Sequence, residues 1–112
     1  MGWMEKDIKR DVLRLLGGRS DTRLWNNPTG LGLTRDGSRT IAFGLPGSAD
    51  LIGLFRPSGR FLAVECKSAR GRQSLQQKRF QAMIESMGGV YLLVRSANEA
   101  LSQLEPYLHE RS

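Results

Sequence analysis

Apolar residues recur at helical spacing from Met4 through Ile8 and Val12 to Leu15 and Leu16, and Gly17-Gly18 supplies a stop. The pattern then changes. Arg23-Leu-Trp-Asn26 reads as a short strand, Asn27-Pro-Thr-Gly30 as a turn, Arg35-Asp-Gly-Ser-Arg39 as a polar hairpin tip and Thr40–Phe43 as another short strand. So long a Gly-rich segment is either mobile or functional. Trp25 reads as core in preference to a stacking platform. Gly44-Leu-Pro-Gly47 turns the chain towards Asp50.

Two apolar runs follow, Asp50-Leu-Ile-Gly-Leu-Phe55 and Arg60-Phe-Leu-Ala-Val-Glu65, separated by Arg56-Pro-Ser-Gly59. Pro and Gly favour a turn there, so the pair predicts a β-hairpin. If Phe55 pairs with Arg60, Asp50 falls opposite Glu65 on one face, with Cβ atoms about 4.5–5.5 Å apart. A three-residue loop would put the two acids on opposite faces. Ser74 opens a second helix with buried positions at Leu75, Phe80, Met83, Ile84 and Met87, ended by Gly88-Gly89. Val90-Tyr-Leu-Leu-Val94 is a near-continuous apolar run, hence a central strand. Ser96 and Glu99 have capping-box spacing before a last helix lined by Leu101, Leu104 and Leu108, which Pro106 should bend or shorten. A hairpin, then a helix, then a strand requires a crossover. The expected class is therefore α/β, with a mixed central sheet flanked by helices, in one domain over residues 1–112.

The candidate chemistry lies on the predicted hairpin. Glu65 and Lys67 share a strand face and Cys66 between them points away. Acid-x-base on a strand is a weak pattern, because charges at strand ends are usually solvated. Here it closes the apolar run Phe61–Val64 of a central strand, where polar groups on one face need a reason. Two opposed carboxylates repel unless one holds a proton or a cation lies between them. Hard oxygen ligands suit Mg²⁺ or Mn²⁺, and magnesium takes only one or two carboxylates together with waters and a substrate phosphate. Lys67 would then orient an attacking water or neutralise the phosphorane.

Other residues have two readings each. Glu5 sits at the edge of the first helix's apolar stripe. It is a possible third carboxylate, but on the residues alone it reads better as a first-turn acid favoured by the helix dipole. Gln77 pairs with Ser74 at capping-box spacing, or donates to a site water or a phosphate oxygen. Arg70 and Arg72 must lie near Lys67, Lys78 and Arg79 add charge to the next helix's first turns, and Arg35 and Arg39 would grip phosphate from the hairpin tip.

Composition narrows the class. The 112 residues carry 17 basic and 11 acidic side chains, for a net charge of +6. Thirteen of the basic residues are arginine. Arginine forks match phosphate geometry, so nucleic acid is the favoured partner. One cysteine excludes an internal disulfide and a Cys-based zinc site, and His109 as the only histidine excludes a histidine-cluster site. No stretch reads as a membrane span or signal peptide.

Taken together, a Glu in the first helix, G-x-x-D, E-x-K on the next strand and a Gln in the following helix resemble the PD-(D/E)xK nuclease superfamily. The chain is most similar to its VRR-NUC family, through Gly44-Leu-Pro-Gly-Ser-Ala-Asp50, Val64-Glu-Cys-Lys67 and Gln77. Val94-Arg95-Ser96 stands where the family has Val-Arg-Arg, so the second arginine's contact is missing. The resemblance spans roughly residues 4 to 100. It implies a restriction-endonuclease-like core and Mg²⁺- or Mn²⁺-dependent hydrolysis of phosphodiester bonds. It further implies Asp50, Glu65 and the Cys66 carbonyl as metal ligands, Glu5 completing the acidic set, Lys67 as the catalytic lysine and Gln77 in support. Small members of this type are similar to Holliday-junction resolvases. Branched DNA, a homodimer matching a two-fold substrate and the cytoplasm of a bacterial or phage-infected host cell are what this implies. A flap or nicking nuclease of the same fold, a nuclease reading duplex sequence, and a non-catalytic nucleic-acid-binding module are the alternatives.

Overall fold

The computed structural model describes residues 4–110. Helix α1 (Glu5–Gly17) is followed by strands β1 (Thr22–Asn26), β2 (Gly30–Leu33), β3 (Thr40–Phe43), β4 (Leu51–Phe55) and β5 (Arg60–Cys66). Helix α2 (Leu75–Ser86), strand β6 (Val90–Val94) and helix α3 (Ala97–Leu108) complete the chain. Strands β1, β4, β5 and β6 form one sheet in that order. Its β1–β4 and β4–β5 ladders are antiparallel and β5–β6 is parallel, as the crossover through α2 requires. The mixed α/β sheet expected from the sequence is therefore present. Strands β2 and β3 pair only with each other, in a separate two-stranded sheet.

The sheet's two faces are covered unequally. Leu51, Phe55, Leu62, Val64, Cys66, Leu92 and Val94 join Ile8, Val12 and Leu16 of α1 and Ala100 and Leu104 of α3 in the main core. On the opposite face Ala63 and Tyr91 meet Phe80 and Ile84 of α2 together with Ala49. Alternation along the strands produces this division: Cys66 falls with Leu62 and Val64, whereas Glu65 falls with Ala63. No described helix is long and apolar enough to cross a membrane.

Several expectations change. Trp25 is 46% exposed and not core, because its position on β1 puts it on the α2 face, where α2 packs against β6 and leaves β1 uncovered. Only Phe80 and Ile84 of the expected α2 stripe are buried; Leu75, Met83 and Met87 remain exposed. In α1 it is Leu13 that packs against the core beside Ile8, Val12 and Leu16, while Met4 is exposed. Helix α3 runs through Pro106 to Leu108 and is not shortened by it. The proline falls in the last turn, so the ladder bond it removes, to the Ser102 carbonyl, lies near the helix end. The Ser96 hydroxyl accepts from Glu99 N–H, but the Glu99 carboxylate takes Gln103 Nε2 and does not complete a capping box.

Gly53 marks the tightest approach in the sheet. A Cβ there would stand 1.8 Å from the Arg23 carbonyl oxygen on β1. By contrast, a Cβ on Gly17 at the end of α1 meets nothing within 4 Å. Gly53→Ala should therefore lower the unfolding free energy by roughly 3 kcal/mol, and Gly17→Ala should leave it unchanged or slightly raised. Urea denaturation followed by circular dichroism compares the two.

Candidate acidic site at the end of the sheet

The β4–β5 register pairs Phe55 with Arg60 and Leu51 with Val64, across a four-residue connection. The next pair outward is Asp50 and Glu65, so the even-numbered loop brings the acids face to face. Asp50 lies just before β4, and its Oδ2 accepts a 2.8 Å hydrogen bond from Cys66 N–H. That bond occupies one carboxylate oxygen with the end of β5 and holds the side chain over the strand.

Three contacts fix the approach to Asp50. Asn27 N–H donates to the Asp50 carbonyl at 2.9 Å, and Asn27 Nδ2 donates to the Ala49 carbonyl at 2.9 Å and to Ser48 Oγ. Gly47 has φ +78°, and a Cβ there would stand 2.5 Å from the Gln76 carbonyl oxygen. Glycine is needed at this position both for its left-handed backbone and because the loop lies against the backbone of α2. The glycine of the G-x-x-D segment thus sets how closely Asp50 approaches the second helix.

Glu65 is only 3% exposed. Its Oε1 lies 3.3 Å from Gln77 Nε2, and its Oε2 is buried with no hydrogen-bond partner. Burial is the largest influence pushing its carboxyl up to about 8; a hydrogen bond to Asp50 and the Asp50 charge add to it, and Lys67 opposes it. Two nearby carboxylates in a desolvated site cannot both ionise cheaply. The orphaned oxygen is satisfied if Glu65 shares a proton with Asp50, or if a cation stands between them.

Gln77 serves both roles read from the sequence. Its Oε1 accepts from Ser74 N–H at 2.8 Å, and its own N–H donates to Ser74 Oγ at 3.1 Å, completing the capping box. The other end of the same amide points at Glu65. The cap therefore aims the Gln77 N–H₂ at the carboxylate.

Lys67 follows Glu65 on the same face and is half-buried. Glu5 is exposed at the start of α1; its Oε1 and the Lys67 Cδ each lie 3.3 Å from where a Gly71 Cβ would stand. Gly71 thus leaves room for both chains at the rim. Glu5 is the weakest influence on the Glu65 carboxyl. Among the described residues, no group of three or more His, Cys, Asp or Glu side chains converges as a metal-binding set. The donors that do converge are two carboxylates, at Asp50 and Glu65, and they fit a hard cation that keeps several waters. The Cys66 thiol is fully buried in the main core, and burial, then the Asp50 and Glu65 charges, push it up to about 12. It is inert as a nucleophile.

The basic residues divide into two groups. Arg70 and Arg72 are exposed on the loop after Lys67, and Lys78 and Arg79 are exposed on the first turns of α2, the helix that carries Gln77. Arg35 and Arg39 lie at the tip of the β2–β3 hairpin, away from this cluster along the chain by the length of a strand. One contributor was not assigned from the sequence. Arg95 Nη1 donates to the Ser68 carbonyl and, at 2.8 Å, to the Gly71 carbonyl, clamping the loop that carries Arg70. The parallel pairing of Cys66 with Val94 is what brings Arg95 beside Lys67, and that register has no local sequence signal.

Compared with models of known protein families and with curated proteins, the chain matches none.

Without a cation, Glu65 makes stability fall as pH rises. Its folded value of about 8 lies above the ordinary 4.5, so the native state holds the proton more tightly than the unfolded chain. The stability it contributes is present in full below about 4.5 and is lost as pH rises through about 8. Glu65→Gln, which copies the protonated form, should unfold at a higher temperature than the native chain in EDTA above pH 8, with the gap closing below pH 4.5. Thermal unfolding across that range checks this.

Proposed function

We propose that the protein is a metal-dependent endonuclease that hydrolyses phosphodiester bonds in branched DNA, on a restriction-endonuclease-like core similar to that of the VRR-NUC family. The observation that carries this reading is the buried Glu65 carboxylate with an unpartnered oxygen facing Asp50. A protein gains nothing in stability from burying two like charges. The arrangement makes sense as a seat for Mg²⁺ or Mn²⁺, held by Asp50, Glu65 and the Cys66 carbonyl, with Glu5 at the rim. When bound, such a cation supplies electrostatic stabilisation to the phosphate and makes water more acidic.

The chain's own residues have separable tasks. Gln77 holds the Glu65 carboxylate in orientation through Nε2. Lys67, on the same strand face, places its ammonium at the site to orient the attacking water and to balance charge that develops on the phosphate. Arg70, Arg72, Lys78 and Arg79 line the approach and contact the flanking phosphates, which makes binding salt-dependent. Arg95 keeps the Arg70 loop in place through two carbonyls. The net charge of +6 favours a polyanion over a small neutral substrate.

A cleavage panel tests the reading: four-way junction, 5′ flap, 3′ flap, plain duplex and single strand, each with Mg²⁺, Mn²⁺ or EDTA. Cutting should need the metal and favour the four-way junction. Asp50→Asn, Glu65→Gln and Lys67→Ala should each lose at least about a hundredfold in rate while still binding DNA. Gln77→Ala, which removes a support and not a ligand, should lose roughly 10- to 100-fold. Binding without cutting under either metal would replace the nuclease with a non-catalytic binding module.

In the absence of DNA, Mn²⁺ should raise the melting temperature of the native chain but not that of Glu65→Gln. Differential scanning fluorimetry reads this without any turnover.

A further inference from the structure

The half of the sheet face that α2 leaves open mixes aromatic rings with cations. Alternation puts Asp50, Ile52 and Leu54 on that face. Cross-strand pairing sets Arg23 and Phe61 on either side of Leu54, and Trp25 beside Ile52. Trp25, Leu54 and Phe61 are 46%, 42% and 39% exposed, and Arg23 is exposed beside them. A wholly apolar partner would strip Arg23 of water without replacing it. The strip therefore calls for a partner that carries flat apolar faces and negative charge together.

At the β4–β5 turn the strip ends in a cavity of about 340 Å³. Arg23, Leu54, Arg56 and Pro57 are among the residues that line it. Its size is at the lower end for small-ligand sites. Asp21 also lines it, but Arg19 takes both of its carboxylate oxygens, at 2.9 and 3.0 Å. Those hydrogen bonds hold the Asp21 carboxyl below its ordinary value, so its charge is already matched. Among the described residues neither Arg23 nor Arg56 forms a salt bridge. The Arg56 backbone is fixed at the cavity by its N–H, which donates to the Asp21 carbonyl at 2.8 Å. Two exposed guanidinium groups thus stand at an apolar hollow with no acid of their own, which suits a phosphate joined to a base.

Trp25 and Phe61 are two strands and two residues apart in register, about 12 Å from the spacings of a sheet. They would hold different bases and not the two sides of one. Every base has a face that can stack on an aromatic ring. Inside a duplex that face is covered by the neighbouring pairs, so only unpaired or unstacked nucleotides can use these rings. We propose that the open half of this face is a platform for a single strand of DNA. Bases stack on Trp25 and Phe61, and Arg23 and Arg56 hold phosphates. Arg56 follows Asp50 by six residues, roughly 20 Å of extended strand, so the platform leads away from the acid pair on one face. The inference deepens the proposed function by naming the part of branched DNA that is gripped, the nucleotides that leave the stack at the branch. It rests on that reading only for where the cut falls.

The test is fluorescence anisotropy of the full chain in EDTA, with a labelled oligothymidine strand and a duplex of equal length. Trp25→Ala and Phe61→Ala should each weaken single-strand binding by about 5- to 150-fold and leave duplex binding unchanged. Trp25→Phe keeps a ring and should keep most of the affinity. Arg23→Gln and Arg56→Gln should each lower the slope of log affinity against log salt by roughly 0.7. All four side chains are exposed, so the circular dichroism spectra should stay native. Native single-strand affinity in the Trp25→Ala, Phe61→Ala double variant overturns the proposal. So does an equal loss on strand and duplex, or a Trp25→Phe variant as weak as Trp25→Ala. The outcome is separable from the nuclease reading. Weakened platform variants of a chain that cuts nothing would sink the nuclease and keep the platform, and metal-dependent cutting with undiminished single-strand binding by those variants would do the reverse.

Discussion

The buried carboxylate of Glu65 is the constraint around which the end of the sheet is arranged. A carboxyl at 3% exposure is costly unless its surroundings compensate. Here they compensate only in part: Gln77 donates to one oxygen, and the other has no donor and faces a second acid. The neighbouring structure is consistent with holding this group in place. Asp50 is tied to the Cys66 amide, the α2 cap orients Gln77, and Arg95 secures the loop beyond Lys67. Burial and the Asp50 charge push the Glu65 carboxyl up, towards its protonated form; the proposed function gives the same geometry a cation.

The unequal covering of the sheet gives the molecule two different sides. Helices α1 and α3 close one face over a continuous aliphatic core, which supplies most of the buried apolar area. Helix α2 covers only the β5–β6 half of the other face, with Phe80 packed edge-on against Tyr91 at 6.2 Å between ring centroids. Its N-terminus is therefore held near Glu65 by polar contacts and by the Gly47 approach more than by a deep core. At the sheet's end Asp50 is partly exposed, beside the buried Glu65. The uncovered half of the same face is where Trp25, Leu54 and Phe61 are left bare.

Local pattern carried far because several of its signals coincide with physical necessity. The four-residue connection between β4 and β5 fixes an even register, and evenness alone sets Asp50 opposite Glu65. Alternation sends Cys66 into the core and Glu65 to the other face. Ser74 and Gln77 at capping-box spacing form the cap. The parts that were misread depend on what a neighbour covers. Trp25 has the size and apolarity of a core residue, yet it stays 46% exposed because α2 packs on the other half of that face. Leu75, Met83 and Met87 have helical spacing but no sheet beneath them.

The sequence by itself determined the three helices, the β4–β5 hairpin and the last strand, and it set the condition, an even-numbered loop, under which Asp50 and Glu65 share a face with Lys67. It placed no strand at β2, and the structure supplied both that strand and the register. What the sequence did determine follows from periodicity, turn length or alternation, which are properties of neighbours along the chain. Only the tertiary structure decided that Glu65 is buried with an orphaned oxygen, that Gln77 reaches it, that Arg95 holds the adjacent loop and that Glu5 stays at the rim. It also decided that β2 and β3 leave the main sheet and stand apart as an arm. Those outcomes depend on parallel pairing across a crossover and on how much of a face one helix covers. Both are contacts between residues distant in sequence, so no local window encodes them.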